Sequence, residues 1–233
     1  MFTLYKKELN YYLNNPIGYI VVILFGVFAN FLFLKDIFVV GSASMRPFFS
    51  LLPWLFLVFI PALSMRSISE EKRTNTIETL LSLPISETQI VLAKFLALMS
   101  LVILGLVMTI GLPVSLSLLT KIYYPEIIVG YLGMICIGGA IVSVSMLFSS
   151  LTKNQVVAFL SSILVVFIFY IIGTDFSASV LPKFIQDFVS YYSPLYQLEN
   201  FMKGILDIRS IFYFISLIIV FLVLTVIDLE KRS

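Results

Sequence analysis

Long apolar runs organise this chain, and its polar residues gather between them. Six runs, at 17–34, 48–65, 90–119, 127–151, 155–173 and 210–227, carry no charge except Lys94 near the start of the third. Crossing about 30 Å of hydrocarbon at about 1.5 Å per residue takes roughly 20 apolar residues, so each run predicts a membrane-spanning helix. Open strands are excluded, because lipid offers no partner to backbone N–H and C=O groups. Six crossings put both termini on one side. With those termini inside, nine basic residues lie on inner segments (Lys6, Lys7, Arg66, Lys72, Arg73, Lys94, Lys153, Lys231, Arg232). Six lie outside (Lys35, Arg46, Lys121, Lys183, Lys203, Arg209), so the positive-inside rule favours cytoplasmic termini.

Between and within the runs, four regions add detail. Phe2, Tyr5, Leu9, Tyr12 and Leu13 recur at spacings of three and four, with Lys6, Lys7 and Asn10 elsewhere on the wheel. Residues 1–15 therefore predict a helix lying in the membrane interface; an ordinary anchoring flank is the alternative. Pro53, Pro61 and Pro113 predict kinks in spans two and three. Span four is rich in Gly, Ala and Ser, and Gly139 with Ser143 forms a small-xxx-small pair suited to close packing inside the subunit or at a dimer seam. The interval 175–209 holds seven charges and is no seventh span. Phe184 with Phe188, and Leu195 with Leu198 and Met202, predict two short amphipathic helices dipping into the outer leaflet, the second begun by Ser193-Pro194. A surface loop with helical content is the other reading.

The sharpest feature is EEKRTNTIETLLSLPISETQ, at 70–89. From Arg66 to Lys94 lie eight of the chain's 28 charged residues (15 Lys and Arg, 13 Asp and Glu). Each charge costs roughly 3 kcal/mol at a bilayer centre, against about −0.5 for leucine, so the interval is predicted to be wet. Span two should run on as helix through Glu70–Arg73 and stop near Asn75, which tolerates the left-handed conformation. Thr76 then caps a new helix, with Glu78 in its first turn facing the positive dipole end. Ile77, Leu80 and Leu81 share one face, and Pro84 ends the helix by disfavouring it at Leu83. Ser86-Glu-Thr-Gln89 is a capping box for the next helix, and Ile85 with Ile90 fits a hydrophobic staple. Two helical turns are unstable alone. Their apolar face needs either the lipid surface or a groove on a cytosolic protein.

Composition removes most other chemistry. The chain is 60% hydrophobic and only 12% charged, whereas soluble domains are about a quarter charged. It has no histidine and a single cysteine, Cys136, which excludes disulfide frameworks, histidine-bearing zinc sites and nucleophile–histidine catalysis. A net charge of +2 gives no case for nucleic acid. No G-x-x-x-x-G-K-[ST] occurs, so the chain has no phosphate-cradling loop of that kind. The N-terminal segment mixes acid with base and lacks a small-residue cleavage site, unlike a signal peptide.

The charged interval resembles the loop of ABC-2 type exporter permeases, approximately E-K-R-x-G-T-x-E-x-L-L-x-x-P with a downstream G-K. The matching residues are Glu71, Lys72, Arg73, Thr76, Glu78, Leu80, Leu81, Pro84 and Lys94. Asn75 and Ala93 stand where the family usually has glycine. SSLTKNQVVAF after span four and SPLYQLENFMKGILDIRSIFYF before span six resemble a permease subgroup associated with bacterial gliding motility. The resemblance implies a single permease domain over 1–233, in a bacterial cytoplasmic (inner) membrane. It is an all-α integral membrane fold: an interfacial helix (1–15), a cytoplasmic coupling region (66–94) and an outer re-entrant helical hairpin (175–209) between spans five and six. The chain itself binds no cofactor. Its partners are a second permease subunit, membrane lipid, and cytosolic ABC ATPase subunits that bind ATP and Mg2+. The coupling helix at 76–83 would place Ile77, Leu80 and Leu81 in the ATPase groove, while Glu71 and Arg73 hold the protruding helices or pair with the ATPase.

Three functions compete on this reading. An ATP-driven exporter permease leads. A force-transmitting or assembly subunit of an envelope complex, with no transported substrate, would need the same machinery. An ion-coupled carrier or intramembrane enzyme would call for ionisable groups at mid-membrane depth, and the spans place none centrally.

Overall fold

The computed structural model describes all residues except 41–43, 78–84, 121, 173–191 and 232–233. Every regular element among the described residues is a helix. In chain order these are α1 (Phe2–Asn14), α2 (Pro16–Val40), α3 (Arg46–Ser64), α4 (Ser69–Arg73) and α5 (Glu87–Val107). There follow α6 (Gly111–Leu119), α7 (Tyr124–Leu151), α8 (Gln155–Ile171), α9 (Pro194–Met202) and α10 (Ile208–Glu230). Among the described residues, five stretches are long and apolar enough to cross a membrane: Gly18–Lys35, Arg46–Arg73, Glu87–Leu119, Tyr124–Leu151 and Ile208–Glu230. The α8 helix is apolar but has 17 residues, and its predicted end at Gly173 lies outside the described residues. By length and composition this is a multi-pass membrane protein.

The axis of the bundle is α7, packed by α3, α5, α8, α9 and α10. Missing side chains make this possible. The Phe49 ring rests on Gly130, Val102 on Gly138, and Ile218 of α10 on Gly139. A Cβ at Gly133 would stand 2.7 Å from the Cβ of Phe201, so α9 seats there only because the position is glycine. The small-residue pair Gly139 and Ser143 is thus used within one chain, with Ser143 fully buried. This is close packing of the kind lipid-embedded helices rely on, since apolar surface alone gives them no preference for each other over lipid.

Two spans predicted as continuous helices are broken. Span three opens at 108–110, between α5 and α6. Pro113 has no N–H to give the Thr109 carbonyl, and the Leu112 N–H donates there instead, at 3.1 Å. That leaves the Met108 carbonyl without its usual helical donor, and the Asn30 amide of α2 reaches it at 3.3 Å while also donating to the Gly26 carbonyl at 2.8 Å. The Thr109 hydroxyl lies 2.9 Å from that of Tyr131 on α7. Side chains of two neighbouring helices therefore complete the break, as buried polar backbone requires. The break in span two, at 65–68, belongs to the site described below.

Helices occupy the two described segments where an interfacial and an outer helix are expected, and both turn a face to protein. On α1 the buried residues are Leu4, Glu8 and Tyr12, while Phe2 and Leu13 are exposed. The inward stripe thus lies beside the predicted apolar one and contains a carboxylate. The Tyr5 hydroxyl meets that of Ser100 on α5 at 2.9 Å. On α9, Ser193 caps the first turn by accepting from the Leu195 N–H, with Pro194 at the first helical position. Leu198 and Phe201 are fully buried against α7. The companion helix predicted around Phe184 and Phe188 lies outside the described residues.

After α9 the chain turns at Gly204, whose φ is +77° and which abuts the backbone of Pro125 and Glu126. A side chain there meets two obstacles, a left-handed conformation and a Cβ 2.9 Å from the Glu126 nitrogen. Gly204→Ala is expected to destabilise the protein by about 1–2 kcal/mol from the conformation alone, read as a lower melting temperature of the detergent-solubilised chain. An unchanged transition would show that the turn relaxes freely.

Candidate functional site

Helix α3 stops at Ser64 because a serine from another helix replaces its backbone bonds. The Ser149 hydroxyl, near the end of α7, donates to the Met65 carbonyl at 2.9 Å. It also accepts from the Ile68 and Ser69 N–H groups, each at 3.1 Å. The Ser69 hydroxyl adds a bond to the same Met65 carbonyl. One turn opens with these hydrogen bonds in place, and α4 begins at Ser69. The predicted unbroken helix through Glu70–Arg73 is thereby corrected: the charged segment is a separate five-residue helix stitched to α7.

Two lysines then fix α4 in place. Lys94 of α5 is only 2% exposed and bonds Glu71 at 2.7 Å and Glu8 of α1 at 3.2 Å. Lys72 is equally buried; it donates to the Ser150 carbonyl of α7 and bonds Asp228 of α10 at 2.9 Å. An ammonium out of water is tolerated only when paired and hydrogen-bonded, and both are. Four of these groups belong to helices remote in sequence, so both ends of the chain meet at this end of the bundle. The expectation that the whole interval is wet fails at these two residues, whose charges are buried in protein.

Around them the packing is local and apolar. Ser86 caps α5 as predicted, accepting from the Gln89 N–H. Ile90 is buried with Leu4 of α1 and Ala93, and Ile85 packs on that group. The methyl of Ala93, where the family pattern has glycine, thus serves as a contact for α1. Burial and the neighbouring Glu8 push the Tyr12 phenol well above its usual pKa, so it stays neutral.

The predicted site residues divide among different tasks. Glu71 is the carboxylate that reaches Lys94. Arg73 is mostly exposed and pairs with Glu70 at 2.8 Å within its own helix. Asn75 adopts the expected left-handed turn, with φ +56°. Thr76 is already helical instead of capping from outside; its hydroxyl meets that of Thr74 at 2.9 Å. Ile77 is half-buried and packs against the chain's own core. Glu78, Leu80, Leu81 and Pro84 lie outside the described residues.

Several contributors escaped the sequence reading: Glu8, Ser149, Ser150, Gln155 and Asp228. Gln155 opens α8 and donates its amide to Glu70. A signal for three of them was present. Ser149, Ser150 and Gln155 all sit in SSLTKNQVVAF, and the fold brings that motif onto EEKRTNT. No group of three His, Cys, Asp or Glu residues able to hold a metal occurs among the described residues.

A family model described as ABC-2 family transporter protein matches residues 2–232. The chain belongs to this family. As an ABC-2 protein it is a membrane component of an ABC transporter, not its catalytic part. No curated protein matches it.

In this ABC-2 chain the Lys94 triad should behave as a unit. Lys94→Met strands Glu8 and Glu71 together at a buried position and is expected to cost about 3–5 kcal/mol, seen as loss of monodisperse protein on size exclusion. The triple variant Lys94→Met, Glu8→Gln, Glu71→Gln removes the stranded charges and should recover most of that loss. Equal stability of the single variant and the unmodified protein would contradict the pairing.

Proposed function

We propose that the chain is the permease subunit of an ATP-driven ABC-2 exporter. It pairs with a second permease subunit, lies in the bacterial inner membrane with six spans and cytoplasmic termini, and takes its energy from separate ATPase subunits that bind ATP and Mg2+. The coupling helix is the segment at 76–83, docked on the ATPase through Leu80 and Leu81 with Glu78 in its first turn. Ile77 anchors its start to the permease.

The observation that carries this reading is the tethering of α4. Lys72 and Lys94 join five residues to α1, α5, α7 and α10, and the proposed coupling segment follows the left-handed turn at Asn75. A push on that segment would reach four helices through buried ion pairs and one lysine–carbonyl bond, where a flexible loop would absorb it. Transport direction and the ATPase partner follow from the family reading, and the missing phosphate-binding loop agrees with a division of labour.

Leu80→Asp with Leu81→Asp should leave the permease folded and cut ATPase co-purification by at least about tenfold, the scale of losing one interface hot spot. ATP-dependent transport in reconstituted vesicles should fall with it. Ile77→Asp should instead lower the stability of the permease itself. Wild-type recovery of the ATPase with the double variant would sink the proposal.

A further inference from the structure

Between α1 and the turn joining α3 to α4 lies a cavity of about 340 Å³. It is lined by charges of both signs, and the protein leaves some of its polar atoms unused. The Ser67 hydroxyl is 4% exposed and has no hydrogen-bond partner. Nε of Arg66, which lies 4.0 Å from the Glu70 carboxylate, and Oε2 of Glu71, whose other oxygen is taken by Lys94, are likewise buried atoms without a hydrogen bond. Exposed Lys7 adds a second cation to the lining. Glu8, Glu70 and Lys94 complete the charged lining; its buried atoms without a hydrogen bond are donors on Arg66 and Ser67 and one acceptor, Oε2 of Glu71, with the Lys7 ammonium beside them.

We propose that this cavity binds a phosphoethanolamine group, its phosphate on Arg66, Ser67 and Lys7 and its ammonium on Glu71. Buried polar atoms are rarely left unmatched, and guanidinium groups suit phosphate oxygens in particular. A plain anion would satisfy the donors but set negative charge against Glu71. A phosphocholine group would bring the right charges, yet its quaternary nitrogen has no N–H to give Oε2. A phosphoglycerol group brings no cation at all. A primary ammonium joined to a phosphate answers all three buried atoms.

The location points to lipid as the source. Arg66 directly follows the apolar run of α3, and half-exposed Tyr11 borders the cavity, as aromatic residues do at the level of headgroups. Free phosphoethanolamine presents the same chemistry without acyl chains.

Native mass spectrometry of the full-length protein decides the matter, with phosphatidylethanolamine, phosphatidylcholine and phosphatidylglycerol of identical chains added in turn. One phosphatidylethanolamine per chain should be retained, with at least about tenfold preference, the scale of one charge-assisted hydrogen bond. Arg66→Met and Ser67→Val should each remove the preference; Ser67→Val changes little volume and decides the case if Arg66→Met fails to fold. Competition by free phosphoethanolamine would show that the headgroup alone is recognised. Retention of the lipid without such competition would show that the chains contribute to the same site. Equal retention of the three lipids, or an intact preference in folded Ser67→Val, would overturn the proposal.

Discussion

An ammonium group stays inside a protein only where carboxylates come to it, and Lys94 sets where two helices must lie. Glu8 fixes the rotation of α1, turning one stripe of that helix inward and leaving Phe2 and Leu13 outside. Glu71 fixes α4 against the start of α5. Leu4, Ile90 and Ala93 fill the space beside the pair. Their burial keeps water from the ion pairs, and the ion pairs keep the apolar contact in register.

Most of the architecture was legible because lipid leaves few choices. Apolar runs of span length had to become helices, and small residues along span four had to mark its most crowded face. Single residues with strong local preferences were equally readable: Asn75 in its left-handed turn, Ser86 and Ser193 as caps, Pro194 at a first helical position. What escaped depended on distant partners. Nothing near Met65 announces a helix break, because the cause is Ser149, more than eighty positions away along the chain. Lys72 and Lys94 read as boundary charges until Asp228 and Glu8 are seen beside them. The periodicity of α1 misled for a related reason: amphipathic spacing shows which face is apolar, but Glu8 was drawn to the other side by a lysine on α5.

Hydroxyl and amide side chains have a consistent role in this bundle. Ser149 completes the break before α4, and Asn30 bonds a carbonyl freed by the one after α5. In hydrocarbon an interrupted helix needs replacement partners, and here each interruption is matched by a neighbour whose own helix stays intact. The breaks are therefore properties of helix pairs in this protein.

The pairing of Lys72 with Asp228 spans 156 positions, and this has a bearing on biogenesis. A ribosome makes Lys72 well before Asp228, so that carboxylate is absent while the helices between them are being inserted. Until α10 arrives, α4 settles beneath the bundle only by burying Lys72 without the Asp228 carboxylate. Completion of this end of the bundle is thereby deferred until α10 is in place. A product that stops short of α10 would lack that pairing, a mark by which unfinished molecules differ from finished ones.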